Sequence, residues 1–310
     1  MAKVKATVNG AVSLVNAIAN KKGATLGISL KVEVVMETSK GKGITIQSEN
    51  KSLSSRLINK TIEKIVSKKD LEKNKIAITL NSEIPTGYGL KSSSAISSAI
   101  ALACAKIFKP KWTDKQILLA GVDASIESKV SITGAYDDAC SCYYGGFNVT
   151  DNAKKKRIHF EKGPSNLIVV IFIPKNRKRG NLKNLKILSP VFENAWELAK
   201  KANYWDAMII NGLATATILN SDPKIITSLI EKGALGASVS GNGPSIAAVT
   251  KKENEASIKK IFSALEGNII VSKINNKPLF VFHSLHIGGV SHLRLCTTLF
   301  LAFVYVFCFK

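Results

Sequence analysis

The chain predicts an α+β protein, helices packed on sheets in two layers and divided into two successive halves. Three observations carry that prediction. Lys75 to Leu80 alternates polar and apolar residues with period two, as a half-buried strand does. A short loop then opens onto Ala95 to Ile107, a stretch rich in Ala and Ile without a breaker. Leu167 to Ile173 is uninterrupted apolar sequence ended by Pro174, which reads as a buried strand. Helical stretches at about 190–202, 204–220 and 223–232 follow, then apolar runs at 235–239 and 246–249, a pattern that helix-on-sheet layers accommodate.

In chain order, strand-like Val4–Val8 and Ile28–Met36 come first, then the amphipathic stretch Leu53–Val66 and the period-two strand. Helices are expected over 92–107 and 113–129, the second with Thr113 or Asp114 as its N-cap. Tyr143–Val149 reads as a strand. The basic run Lys154–Arg157 and the Gly163–Pro164 pair mark a division near 150–165. A helix near 254–265 and a strand at 268–274 complete the second half. The expected units are 1–155, 156–278 and a tail, 279–310. In the tail, aromatic and aliphatic content rises abruptly after a lysine-rich body, first at Leu279–His283 and then from Leu295 to Phe309. That last run falls short of the ~20 residues a membrane-spanning helix needs. The break leaves open a native, a membrane-associated or an extraneous tail; no membrane partner is expected, and removing the tail is expected to leave the remainder soluble and active.

At 310 residues and 45% hydrophobic composition, the chain has enough apolar sequence for a packed core. Five cysteines (Cys104, Cys140, Cys142, Cys296 and Cys308) show no paired CxxC spacing, and no signal peptide precedes them, so a cytoplasmic protein is expected. Of four histidines only His159 lies outside the tail, which argues against a Ser-His-Asp or His-rich metal mechanism in the core. The net charge of +22 raises the different-class alternative of a basic nucleic-acid-binding protein. The lysines are dispersed, however, concentrating only at Lys154–Arg157 and Lys175–Arg179 with no aromatic-rich RNA-binding motif beside them. They read as a solvated surface, and no nucleic-acid partner is expected.

Three segments carry chemistry. The loop between the period-two strand and the Ala-rich helix reads Pro85, Thr86, Gly87, Tyr88, Gly89, Leu90, Lys91, Ser92, Ser93, Ser94, Ala95. A helix starting near Ser92 aims its free N–H groups and positive dipole end at that loop, which suits an anion. Gly87 and Gly89 permit close backbone approach, Lys91 adds a charge, and the serines can cap the helix, bind phosphate or ligate Mg²⁺. It is not a Walker A sequence, and a serine-capped structural turn is the plainer reading of the loop alone. The second segment, Thr133–Gly146, sets Asp137 and Asp138 among small and apolar residues, where they are candidates for general base or metal ligand, or for a helix cap. The third, Gly233–Ser245, is a long glycine-rich turn between apolar segments.

In this order the three motifs resemble the GHMP kinase superfamily, which phosphorylates small-molecule hydroxyls with ATP. Pro85–Ala95 resembles its phosphate loop, and Gly236–Ser245 is similar to its late glycine motif, with Gly241 and Gly243 toward the nucleotide. Gly134–Cys140, ending in Gly145–Gly146, looks most like the archaeal-type shikimate kinase branch, as do Asn9–Ala19 and Gly23–Gly27. The resemblance spans roughly residues 1–277. Many members carry Pro-Gly-Lys near the N-terminus, and Ala11 follows Gly10 here, which leaves a carboxylate as the base. Counting forward from Gly134 favours Asp137 and counting back from Gly145 favours Asp138; Asp137 is taken first and both are kept.

The resemblance implies an N-terminal α+β domain and a C-terminal ferredoxin-like domain with ATP between them. It implies Mg²⁺ held by the Ser93 hydroxyl and the Glu127 carboxylate, and shikimate as the acceptor, with homoserine kinase the nearest enzymatic alternative. Arg157, Arg177 and Arg179 are candidates for a clamp on the substrate carboxylate.

Overall fold

A computed structural model of the protein describes residues 1–49, 53–131, 134–178, 180–287 and 290–295. The first half contains β1 (Ala2–Val15), β2 (Lys22–Lys40), β3 (Gly43–Ser48), α1 (Ser55–Glu63), α2 (Lys68–Lys73), β4 (Asn74–Ser82), α3 (Ser92–Phe108), α4 (Asp114–Glu127), α5 (Tyr136–Tyr144), β5 (Phe147–Asp151) and β6 (Lys156–Glu161). The second half contains β7 (Leu167–Pro174), a 3₁₀ turn at Leu182–Leu188, α6 (Ser189–Lys200), α7 (Tyr204–Ile218), α8 (Pro223–Glu231), β8 (Ala234–Val239), β9 (Ile246–Lys251), α9 (Glu255–Ser263) and β10 (Gly267–Lys273). Two further strands, β11 (Phe280–Ile287) and β12 (Val290–Leu295), follow.

The strands form two sheets. The larger runs β12-β11-β1-β2-β4-β3, with β5 on the first part of β2 and β6 on β5; the smaller runs β10-β7-β9-β8. Within the smaller sheet all pairings are antiparallel, and the order β-α-β-β-α-β gives the split arrangement of a ferredoxin-like domain.

Strand periodicity explains how the sheets share two cores. On β7, Leu167, Val169, Ile171 and Ile173 join the core that contains β1, β2 and α3, whereas Ile168, Val170 and Phe172 join a second core with Phe192, Ile226 and Phe262. Alternate residues of one apolar strand therefore serve opposite faces. The first half of β1 alternates in burial, but from Gly10 to Val15 every residue is buried, because α3 and α5 pack on that stretch and α7 comes against it from the second half. Two register shifts in its pairing with β2, at Asn9/Gly10 and Ser13/Val15, bend β1 as it enters this region.

Several boundaries differ from the sequence reading. Strand β1 continues to Val15, far beyond Val8, since its second half is covered on both sides and loses the alternation that marks a half-exposed strand. The strand expected at Tyr143–Val149 begins only at Phe147; Tyr143 and Tyr144 close α5, which Gly145 and Gly146 end at φ 70° and 62°. Strand β6 and helix α2 bury no residue and leave no apolar period to read. The segment expected as a tail starts as part of the larger sheet: β11 pairs antiparallel with Ala2–Thr7, and Val281 is buried in the core. Cys296, Cys308 and most of the Leu295–Phe309 run lie outside the described residues. Among the described residues no helix is long and apolar enough to cross a membrane.

Candidate active site

Helix α3 places the phosphate loop. It is rich in Ala and Ser, and thirteen of its residues are buried, so small side chains let it pack against both the sheet and neighbouring helices. Its N-cap is Lys91, in the left-handed conformation (φ 65°, ψ 24°), and no side chain caps the helix. The expected serine cap is therefore not made, and the first N–H groups and the dipole face a pocket. That pocket is lined by Gly87, Gly89, Lys91, Ser92, Ser93 and Ser94 from the loop, by Ser13 and Asn16 from the end of β1, by Ser125 and Asp137–Asp138, and by Gly241 and Asn242.

The late glycine turn grips the phosphate loop from the other half of the molecule. Ser240 Oγ donates to Gly89 O at 2.9 Å and Ser245 Oγ to Tyr88 O at 2.5 Å. Gly89 (φ 81°) is needed here twice, for its conformation and because a Cβ would collide with the Ser240 carbonyl. Ser13 Oγ accepts from Gly241 N at 3.0 Å, and Asn16 Nδ2 donates to Gly241 O at 2.7 Å. Asn211 on α7 accepts from Asn16 N at 2.8 Å and donates to Ser238 at 2.7 Å. A buried polar network with its partners made is rigid, so the loop is held before any ligand arrives.

Helix α5 carries the acids in its first turn, where its dipole favours negative charge. Asp137 is buried. Its Oδ1 accepts from Asn152 Nδ2 at 2.7 Å while its own N–H donates to Asn152 Oδ1 at 3.1 Å, and Gly23 leaves room for its second oxygen, which a Cβ there would strike. Asp138 faces the phosphate loop instead. Its Oδ1 lies 2.8 Å from Lys91 Nζ, which also donates to Ser13 Oγ at 2.8 Å; the side chains of Lys91 and Asp138 are 6% and 16% exposed. Burial and the neighbouring Asp137 charge push the Asp138 carboxyl up to about 7, against the pull of Lys91. For Lys91 burial acts downward, but the two carboxylates outweigh it and hold the ammonium above its ordinary value, so it stays charged.

The structure does not gather every expected residue. Pro85, Thr86, Tyr88, Leu90 and Ala95 shape the loop without lining the pocket, Leu90 and Ala95 being core residues. Gly243 sits behind Gly241 against Val239. Glu127 is not brought to the pocket: at the end of α4 it is paired with Lys64 on the surface, whereas Ser125 lines the pocket. Residues two apart on a helix point about 200° from each other, which accounts for the separation. Arg157 stacks on Tyr144 and Phe160, 4.3 and 4.9 Å from their ring centres, and Arg177 lies 4.9 Å from the ring centre of Tyr88 at the edge of the loop; Arg179 lies outside the described residues. Cys140 and Cys142 are buried free thiols, the first pushed up to about 12 by burial, so neither is an activated nucleophile. Sequence reasoning assigned no role to Ser13, Asn16, Asn152 or Ser125. The first two lie within the quoted Asn9–Ala19 motif, which was the available signal.

Among the described residues no three His, Cys, Asp or Glu side chains form a metal cage. The donors at the pocket are hard oxygens, the serine hydroxyls and the Asp pair. They fit Mg²⁺, which is held by few protein ligands and keeps phosphate oxygens and water for the rest.

Comparison with known proteins agrees with this geometry. Residues 56–146 match the model of the GHMP kinases N terminal domain and residues 220–267 that of the GHMP kinases C terminal domain. The shikimate kinase of Methanosarcina acetivorans is 36% identical over 280 residues, covering 88% of this chain and 94% of its own. Among solved structures, a homoserine kinase from Cytophaga hutchinsonii superposes with a TM-score of 0.70 at 21% identity, covering 90% of this chain and 97% of its own. The Methanococcus jannaschii mevalonate kinase gives 0.71 at 18%, covering 88% and 98%. With a glycine and serine loop opening on a pocket, an acid pair lining that pocket and these two domains in order, the chain belongs to the GHMP kinase superfamily and is an ATP-dependent phosphotransferase.

Proposed function

We propose that the protein is a shikimate kinase, transferring the γ-phosphoryl group of ATP to the 3-hydroxyl of shikimate to give 3-phosphoshikimate, a step toward the aromatic amino acids. The observation that carries the acceptor assignment is the similarity to the Methanosarcina shikimate kinase along 88% of the chain, which includes the Gly134–Cys140 acid motif. The solved homoserine and mevalonate kinases share the fold at 21% identity or less and leave the acceptor open to test.

In this reading the backbone N–H groups of Gly87 to Ser94 and the α3 dipole hold the ATP phosphates, and Gly241 closes the loop from the far side. Ser93 is the hydroxyl that would hold Mg²⁺, and the ion, when bound, would supply positive charge against the phosphates. Of the two acids we assign Asp138 as the base. Asp137 is fastened to Asn152, whereas Asp138 faces the phosphate loop and has a carboxyl tuned near neutral pH, where a general base is most effective. The acceptor oxygen forms its bond to the γ-phosphorus as the bond from phosphorus to the β,γ-bridging oxygen breaks. Its proton passes to Asp138, and ADP leaves. Asp137, locked by Asn152 and Gly23, fixes the start of α5 and thereby the direction of Asp138.

The test is ADP release from Mg²⁺-ATP with shikimate, homoserine and mevalonate as acceptors, with the product identified by mass. Shikimate-dependent formation of 3-phosphoshikimate is the expected result. Turnover with a different acceptor alone would overturn the substrate while leaving the kinase chemistry in place.

A further inference from the structure

Lys91 occupies a backbone position that suits glycine. Its φ of 65° and ψ of 24° lie in the left-handed region, which carries a cost for any residue with a Cβ, and the loop already uses glycine at Gly87 and Gly89 where φ is positive. Lys21, Lys129 and Lys155 share that conformation, so what sets Lys91 apart is where its side chain goes. That side chain does not turn outward to water. It is 6% exposed and lies 2.8 Å from Asp138 Oδ1 and 2.8 Å from Ser13 Oγ. A Cβ on Gly241 would lie 2.7 Å from its Nζ, so the ammonium sits at the junction of β1, α5 and the late glycine turn. It is the one cationic side chain among the described residues that line the pocket.

We infer that Lys91 is a catalytic residue whose ammonium contacts the transferring phosphoryl group on the acceptor side, distinct from the backbone cradle that holds the nucleotide. This rests on the assignment of Asp138 as base. A hydroxyl in hydrogen-bond reach of Asp138, about 3 Å away, lies within about 6 Å of Lys91 Nζ, and the phosphorus meets that hydroxyl. Charge then spreads over the phosphoryl oxygens, and a fixed cation in a water-poor pocket is worth more there than in solvent. Lys91 keeps its proton throughout. Ser13, accepting from both Lys91 and Gly241, holds the ammonium in place between the two halves of the protein.

The backbone supplies an informative variant. Lys91→Gly fits the left-handed conformation better than the parent, so the loop retains its shape while the ammonium is removed; Lys91→Met removes the charge and keeps the bulk. Both are made in the full chain, Mg²⁺-ADP affinity is measured by calorimetry, and single-turnover phosphoryl transfer is followed with whichever acceptor the parent uses. A wrong substrate assignment therefore shows in the parent and does not disturb this test. The expected result is Mg²⁺-ADP affinity within about fivefold of the parent in both variants, with transfer at least about a hundredfold slower. Ethylammonium should restore Lys91→Gly saturably, at least about tenfold, while tetramethylammonium at equal ionic strength should not. Transfer within threefold of the parent in Lys91→Gly would overturn the inference. So would a parallel loss of Mg²⁺-ADP affinity and transfer that ethylammonium does not restore, because the lysine would then serve nucleotide binding alone.

Discussion

Helices α3 and α4 follow one another in the chain and pack together, yet they begin in opposite ways. Helix α4 starts with a closed capping box: Thr113 Oγ1 accepts from Gln116 N at 3.3 Å, and Gln116 Oε1 accepts from Thr113 N at 2.9 Å. Helix α3 starts with a lysine in the left-handed conformation and no side-chain cap. One end is complete within the protein, and the other opens on the pocket, where the proposed nucleotide phosphates would complete it. The start of α5 is a third case, since Ala135 is also left-handed and offers no side-chain cap, but there the chain supplies its own negative charge in Asp137 and Asp138. The pocket is the space between an end with open N–H groups and an end that is already acidic, with Lys91 spanning the two.

The contrast is broken most severely at the acidic end. Asp138→Asn should lower kcat by about a hundredfold to ten-thousandfold while leaving Mg²⁺-ADP affinity within a few-fold; Asp137→Asn, which keeps an oxygen to accept from Asn152, should lose less. Near-normal turnover in both variants would remove the acid pair from the mechanism. The same residue sets the pH profile. Asp138 must be ionised to accept a proton, and its carboxyl is raised to about 7, so kcat/KM should fall as pH drops below about 7, approaching tenfold per unit. For stability the sign is opposite. The folded state holds this proton more tightly than the unfolded chain does, so that contribution is present in acid and lost as pH rises through about 7.

At the phosphate end, Gly89→Ala places a Cβ against the Ser240 carbonyl and strains a φ of 81°, and should cost about 3 kcal/mol or more. Loss of Mg²⁺-ADP binding and a lowered Tm are the readouts. Farther away, truncation after Pro278 removes β11 from β1 and exposes the neighbours of buried Val281, with an expected loss of about 2 kcal/mol or more in urea unfolding. An unchanged unfolding midpoint would show that the strand adds nothing to the sheet. The smallest effect belongs to the completed end: Thr113→Ala should cost about 1 kcal/mol of stability and leave turnover unchanged, whereas a change in kcat would mean that α4 acts on the pocket.

How much was legible followed the range of the interactions. Strand β4, the phosphate loop and α3 were readable because alternation, glycine placement and an apolar run are all local properties, and α3 begins at Ser92 as expected. The cap of α4 was readable to within Thr113 or Asp114 for the same reason, and the structure makes it Thr113. The acids stood out because two carboxylates among small apolar residues have no surface explanation. The choice between them was not legible, because adjacent helix positions point about 100° apart and only the packing of α5 decides which one meets the loop. Ser13 was missed since its partners are 78 residues away at Lys91 and 228 away at Gly241. Asn152 was missed although Asp137 is only 15 residues off, because the two meet only once β5 folds back along α5.

The amino-acid sequence by itself determined the α+β class, the order of the three motifs and the glycine and serine loop that opens onto α3, all of which depend on neighbours along the chain. Tertiary structure alone decided that Glu127 faces Lys64 on the surface, that Asp138 meets Lys91, and that residues 280–287 pair beside β1. The physical reason is common to these cases. A side chain's chemistry is set by burial and by the charges within a few ångströms of it, and packing brings those charges from distant parts of the chain.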